Sequence, residues 1–196
     1  MTTSPGSLVD RMLTAFLLLA PLLSLAADTL YALRGWSDPT AAVLHVLGAT
    51  AYAFAVLRLV TWLPARSGWA AALLLTGVVG AAGNVAYGFN TIHVSLGDTD
   101  LVDASGAAVL IKPLGLFFPL ALLVAGLALA AAGVGARWCA GLLMVVALLW
   151  PIAHIGNIGW LAVAVNLAVL GVAGALVLLP TASATPTVEV PQALRR

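Results

Sequence analysis

Six long apolar segments follow one another along this chain of 196 residues, and they constrain its fold more than any other feature. A helix needs about 20 predominantly apolar residues to cross the hydrocarbon layer of a bilayer. Each segment is close to that length, and short polar stretches separate them. The sequence therefore predicts an all-α polytopic membrane protein, a bundle of six transmembrane helices with approximate spans 12–33, 41–63, 69–89, 114–134, 138–154 and 160–179.

The composition supports the same fold class, because 63% of the residues are hydrophobic and only 8% are charged. Soluble domains carry about 25% charged residues, so this chain has too few charges to cover a water-facing surface. Its first partner is therefore the lipid bilayer. A basic cluster is missing from the sequence, so nucleic acid is not expected as a partner. Residues 1–11 are expected to form an N-terminal segment, and residues 180–196 a disordered tail.

Two short motifs bear on the first and second spans. Ser37-Asp38-Pro39 has the residue types that begin a helix, which predicts the start of the second span. Ser24-Leu25-Ala26 resembles the cleavage site of a signal peptide, so removal of the first span stays open as an alternative.

The third span carries four glycines, which predict close helix packing. Small residues let two helix backbones approach in lipid, so we expect this span to lie centrally in the bundle. The glycines are Gly77, Gly80, Gly83 and Gly88.

The basic residues predict the orientation, because cytoplasmic loops of membrane proteins are enriched in Lys and Arg. With six spans, Arg34 and Lys112 fall on one side. Both termini are then cytoplasmic, and the plasma (inner) membrane is the expected location. The basic residues on the cytoplasmic side are Arg11, Arg58, Arg66, Arg137, Arg195 and Arg196.

With this orientation, polar side chains gather toward the extracytoplasmic ends of the spans. Polar groups at membrane depth are costly and usually face the bundle interior or a wet cavity. The sequence therefore predicts an outward-open polar pocket that binds a small solute or ion. Its candidate lining residues are His45, Tyr52, Asn84, Tyr87, His154 and Asn166.

Three classes of function fit this pattern. The leading hypothesis is non-enzymatic binding or passage of a small solute or ion, since no span carries a mid-depth Asp or Glu typical of a proton pump. A metal- or haem-dependent redox protein is the alternative, with His45, His93 and His154 as candidate ligands and the cofactor unknown. The third is a structural subunit packed against a membrane-protein partner or a second copy.

Two short motifs resemble those of rhomboid intramembrane proteases. Asp103-Ala104-Ser105-Gly106 resembles their nucleophile motif G-x-S-G, and Ala153-His154 resembles the A-H that opens their last helix. The resemblance implies Ser105 as nucleophile and His154 as its base. The chain departs from the pattern at Asp103, where the family has glycine, and at Asn157, where the family has a second glycine.

Overall fold

The computed structural model describes residues 7–178 and confirms an all-α bundle of six helices long and apolar enough to span a membrane. One turn of 3₁₀ helix, Gly106–Leu110, precedes the fourth helix. The helices are α1 (Leu8–Arg34), α2 (Pro39–Trp62), α3 (Gly68–Ser95), α4 (Ile111–Ala132), α5 (Arg137–Ile155) and α6 (Gly159–Leu178).

Helix starts follow the local sequence signals. The Asp38 carboxylate accepts a hydrogen bond from the Ala41 amide at 2.8 Å, and Pro39 is the first helical residue, so α2 begins where the sequence predicts. At the other end of α3, the helix continues six residues past the predicted span, to Ser95. The segment 180–196, predicted to be disordered, and residues 1–6 lie outside the described residues.

The six helices form a closed ring in chain order. Each helix packs against the next, and α6 packs against α1. Since short connections join successive helices, neighbours run antiparallel. We call the end where α1, α3 and α5 finish the histidine end, because His45, His93 and His154 lie toward it. The opposite end is the arginine end, and Arg58 there pairs with Asp10 of α1 at 3.0 Å.

The four glycines of α3 all lie at helix contacts, which agrees with the packing role expected of them. A Cβ at Gly80 would come within 2.5 Å of the Phe118 backbone nitrogen, and one at Gly83 would meet the backbone of Leu114. Gly77 and Gly88 face α2 instead. The expectation of a central α3 is wrong, however, because α3 is one wall of the ring, between α2 and α4.

Candidate functional site

A small polar cavity of about 20 Å³ lies within the ring, toward the histidine end. We call it the polar cavity. Every helix of the ring contributes to its wall. The residues from α1 to α3 are Ser24, Asp28, His45, Ala49, Tyr52 and Asn84, and those from α4 to α6 are Phe118, Trp150, His154 and Asn166.

Helical periodicity explains why these side chains share one space. Residues four apart lie on the same face of a helix, and Ser24 and Asp28 are one turn apart on α1. Trp150 and His154 have the same spacing on α5. On α2, His45 and Tyr52 are seven residues apart and face the same side. The ring topology then turns these separate faces toward one axis.

Asp28 is the central charged group of the polar cavity and is only 1% exposed. The Asn166 side-chain amide donates to its Oδ2 at 2.6 Å. The His154 Nε2 atom lies 3.3 Å from the same oxygen. A buried carboxylate is costly unless it is paired and hydrogen-bonded, and here α5 and α6 supply both partners. Asp28 therefore connects three of the six helices.

The two ring nitrogens of His154 have different partners. Nδ1 lies 3.0 Å from the Trp150 carbonyl, which accepts hydrogen bonds only, so Nδ1 carries a hydrogen. Nε2 lies 3.3 Å from Asp28 Oδ2. The imidazole is therefore held between the backbone of its own helix and the carboxylate of α1.

Aromatic rings pack around the His154 imidazole. Trp150 stacks on it with ring centroids 4.0 Å apart, and Trp36 meets it edge-on at 5.7 Å. Such ring pairs contribute about 0.5–1.5 kcal/mol beyond the area that they bury. The two indoles thus fix the orientation of the imidazole beside the Asp28 carboxylate.

Both asparagine amides of the cavity use their nitrogens on protein acceptors. Asn84 donates to the carbonyls of Gly80 at 2.9 Å and Gly115 at 3.5 Å. Asn166 donates to Asp28 at 2.6 Å, and its Oδ1 faces the Tyr52 hydroxyl at 3.5 Å. The side-chain oxygens are therefore the atoms that these two amides offer to a ligand. Together with the carboxylate, they make the polar cavity rich in acceptors.

Trp36, in the connection between α1 and α2, covers the cavity at the histidine end. Its indole Nε1–H donates to the Asn157 carbonyl at 3.1 Å, which links this connection to the one between α5 and α6. Its ring also stacks on Tyr31 with centroids 5.0 Å apart. Trp36 therefore lies over His154 at the histidine end of the polar cavity.

Five of the six residues predicted to line the pocket do line the polar cavity, although their binding role stays a prediction. They are His45, Tyr52, Asn84, His154 and Asn166. Tyr87 does not line it. Its ring instead packs on His45 with centroids 5.8 Å apart. Tyr87 thus packs against His45 from outside the polar cavity.

The metal or haem hypothesis requires the candidate histidines to lie close together, but the three do not. His93 is 39% exposed at the side chain, and its Nδ1 lies 3.4 Å from Asp98 in the following loop. In residues 7–178, no three His, Cys, Asp or Glu side chains are grouped closely enough to hold a metal ion. His45 and His154 both line the polar cavity, but His93 lies apart from them.

The arrangement implied by the rhomboid motifs is also not formed. Ser105 precedes the 3₁₀ helix in the exposed loop and does not line the polar cavity. Both nitrogens of His154 already have partners, Trp150 and Asp28. His154 therefore has no free nitrogen with which to act as base for Ser105.

Sequence reasoning missed Asp28, because it found no Asp or Glu at mid-depth in any span, and the structure shows that Asp28 is buried. In the structure, α1 continues six residues beyond Asp28 to Arg34, which is about 9 Å of helix. The carboxylate is therefore within the ring rather than at its rim. The available signal was the Ser24–Asp28 spacing, which places two polar side chains on one face of an apolar helix.

A second cavity, of about 60 Å³, lies beside the first and toward the arginine end. We call it the apolar cavity, because Tyr52 is the only polar residue in its wall within residues 7–178. All six helices also contribute to it, through residues such as Leu17, Leu73 and Leu143.

The chain matches no protein-family model, and neither curated proteins nor solved structures give a match. The functional argument therefore rests on the geometry and chemistry of the two cavities.

Proposed function

We propose that the protein binds a small cation, or a solute with a cationic hydrogen-bond-donating group such as ammonium, in the polar cavity. The observation that carries the proposal is the excess of acceptors in its wall. The Asp28 carboxylate and the side chain of Asn84 line the cavity, and the Asn166 oxygen accepts only a long hydrogen bond of 3.5 Å from the Tyr52 hydroxyl. Both amide nitrogens are already engaged. Charge-assisted hydrogen bonds to a carboxylate are about twice as strong as neutral ones.

One feature supports entry of the cation from the extracytoplasmic side. A second supports binding of the cation rather than its conduction across the membrane. Arg11, Arg58, Arg66 and Arg137 lie toward the arginine end, which favours that end in the cytoplasm. The histidine end then faces outward, and a ligand enters beneath Trp36. Beyond Tyr52 the axis is lined by apolar residues, and an ion without polar partners pays a large desolvation penalty there.

The test is binding of radiolabelled methylammonium to the purified protein in nanodiscs. We expect Asp28→Asn, which keeps the shape of the side chain, to lower the affinity about tenfold or more, because a charge-assisted hydrogen bond contributes about 1.5–3 kcal/mol. His93→Ala is the matched control, since His93 lies outside the cavity, and it should bind like the native protein. Equal affinity in native protein and Asp28→Asn would reject the proposal.

A further inference from the structure

The apolar cavity is large for a space inside a helix bundle. Protein interiors are close-packed, with few voids larger than a water molecule. Its volume of about 60 Å³ is several times the roughly 10–15 Å³ that one water molecule needs. The apolar side chains of its wall would make dispersion contacts with an apolar occupant.

The two cavities meet at two side chains. Tyr52 and Phe118 belong to the walls of both cavities, and their rings pack edge to face with centroids 4.8 Å apart. The Tyr52 hydroxyl faces Asn166 in the polar cavity, 3.5 Å away, while its ring borders the apolar cavity. These two side chains therefore form the boundary between the two cavities.

The dimensions of the apolar cavity fit a short hydrocarbon group. Its wall on α2 runs from Tyr52 to Leu59, and on α4 from Phe118 to Ala125. Seven residues of helix rise about 10 Å. A group of that length, attached to a cation at Asp28, would extend along the axis toward the arginine end.

We infer that the ligand is an amphipathic amine, with its ammonium group in the polar cavity and its apolar body in the apolar cavity. This inference rests on the proposed function, because it uses Asp28 as the partner of the ammonium group. It adds the second half of the ligand, which the acceptor-rich wall alone does not specify. Tyr52 and Phe118 then contact the ligand where its polar and apolar parts join.

The experiment compares ethyl-, butyl- and hexylammonium on the native protein in nanodiscs, with binding to empty nanodiscs subtracted. Burying one methylene in an apolar site contributes about 0.8 kcal/mol, or a factor of about four in affinity. We expect affinity to rise with each added methylene, and hexanol, which lacks the charge, to bind far more weakly than hexylammonium.

Filling the apolar cavity provides the structural control. Ala121→Leu places a larger side chain in its wall on α4, and Ala173→Leu does so on α6. We expect either variant to bind ethylammonium normally and to lose the gain with chain length. Ala130→Leu, also on α4 but exposed to lipid, is the matched variant and should keep the gain. Normal ethylammonium binding shows in the same assay that each variant has folded.

The outcomes separate the two proposals. Equal affinities for ethyl- and hexylammonium, or the same chain-length gain in Ala121→Leu and Ala173→Leu, would overturn the inference and leave the cation site intact. Hexanol binding as tightly as hexylammonium would also overturn it and identify the apolar cavity as a site for neutral lipid chains. Failure of all amines to bind at Asp28 would reject the proposed function and the inference together.

Discussion

The histidine-end half and the arginine-end half of the ring have the same helices and topology, but their interiors are held together differently. Near the histidine end, side chains from α1, α5 and α6 converge on the Asp28 carboxylate. Near the arginine end, the axis is lined by Leu, Val, Ala and Phe around an empty space. Lipid is as apolar as these side chains, so only van der Waals packing favours burying them.

This difference indicates that the functional site is to be sought in the histidine-end half. Polar groups in the bilayer are expensive, and the histidine-end half places a carboxylate, two imidazoles and two amides around one cavity. The Arg58–Asp10 pair shows the contrast, because it lies near the arginine end with the Asp10 side chain 44% exposed. Ionisable groups at that end can reach the interface, whereas Asp28 is enclosed.

The strongest test of the comparison is removal of the Asp28 carboxylate. Asp28→Ala leaves Asn166 and His154 without their acceptor, so we expect the free energy of unfolding to fall by about 3 kcal/mol. Equilibrium unfolding in mixed detergent micelles measures the change. The double variant with His154→Ala should lose less than the sum of the single losses, since the two side chains interact. Additive losses would show that the pair is not coupled.

A second prediction concerns the backbone contact between α3 and α4. Gly83→Ala places a methyl group against the Leu114 backbone, and we expect a loss of stability of about 1–3 kcal/mol through overpacking. Gly141→Ala is the matched control, because a Cβ there meets nothing within 4 Å. That substitution should be neutral or slightly stabilising. Equal effects in the same unfolding assay would contradict the close α3–α4 contact.

The cover over the polar cavity gives a third, smaller effect. Trp36→Phe removes the indole hydrogen bond to Asn157 and keeps an aromatic ring, so we expect the cavity to open about fivefold more often, corresponding to about 1 kcal/mol. Diethyl pyrocarbonate labelling of His154, followed by mass spectrometry, reports the opening. His93 is an internal control in the same sample, because it is already half-exposed. Unchanged labelling of His154 would show that Trp36 does not limit access.

The smallest effect is expected at His93. Its contact with Asp98 is exposed, and such pairs contribute about 0–1 kcal/mol. We expect His93→Ala to change stability by less than about 0.5 kcal/mol and to leave methylammonium binding unchanged. A large loss of methylammonium binding would show that His93 belongs to the functional site. It would also weaken the distinction between the polar cavity and the exposed residues around it.

Much of the candidate site was predictable from helical spacing and orientation. His45 and Tyr52 share a face of α2, and the alternation of spans brings the polar ends of α3, α5 and α6 to the same depth. These rules placed five of the predicted residues in one cavity wall. They failed for Tyr87, whose position one turn past Asn84 directs its ring behind His45 rather than into the cavity.

Other features depended on contacts between distant segments. The Trp36–Asn157 hydrogen bond joins connections 121 residues apart, and Asp28 meets Asn166 across 138 residues. Periodicity within one helix assigns a side chain to a face but does not say which neighbour that face meets. The apolar cavity was not predictable for the same reason, since an empty space depends on how six helix surfaces fit together.

The sequence by itself determined six apolar helices, because spanning a bilayer requires long apolar runs whose backbone hydrogen bonds are satisfied within each helix. It also determined that most arginines lie at one end of the helices and the histidines toward the other. Only the tertiary structure decided that Asp28 pairs with His154 and Asn166 and that the polar and apolar cavities meet at Tyr52. Local energetics set each helix, whereas the ring closure of α6 on α1 sets which side chains share the interior.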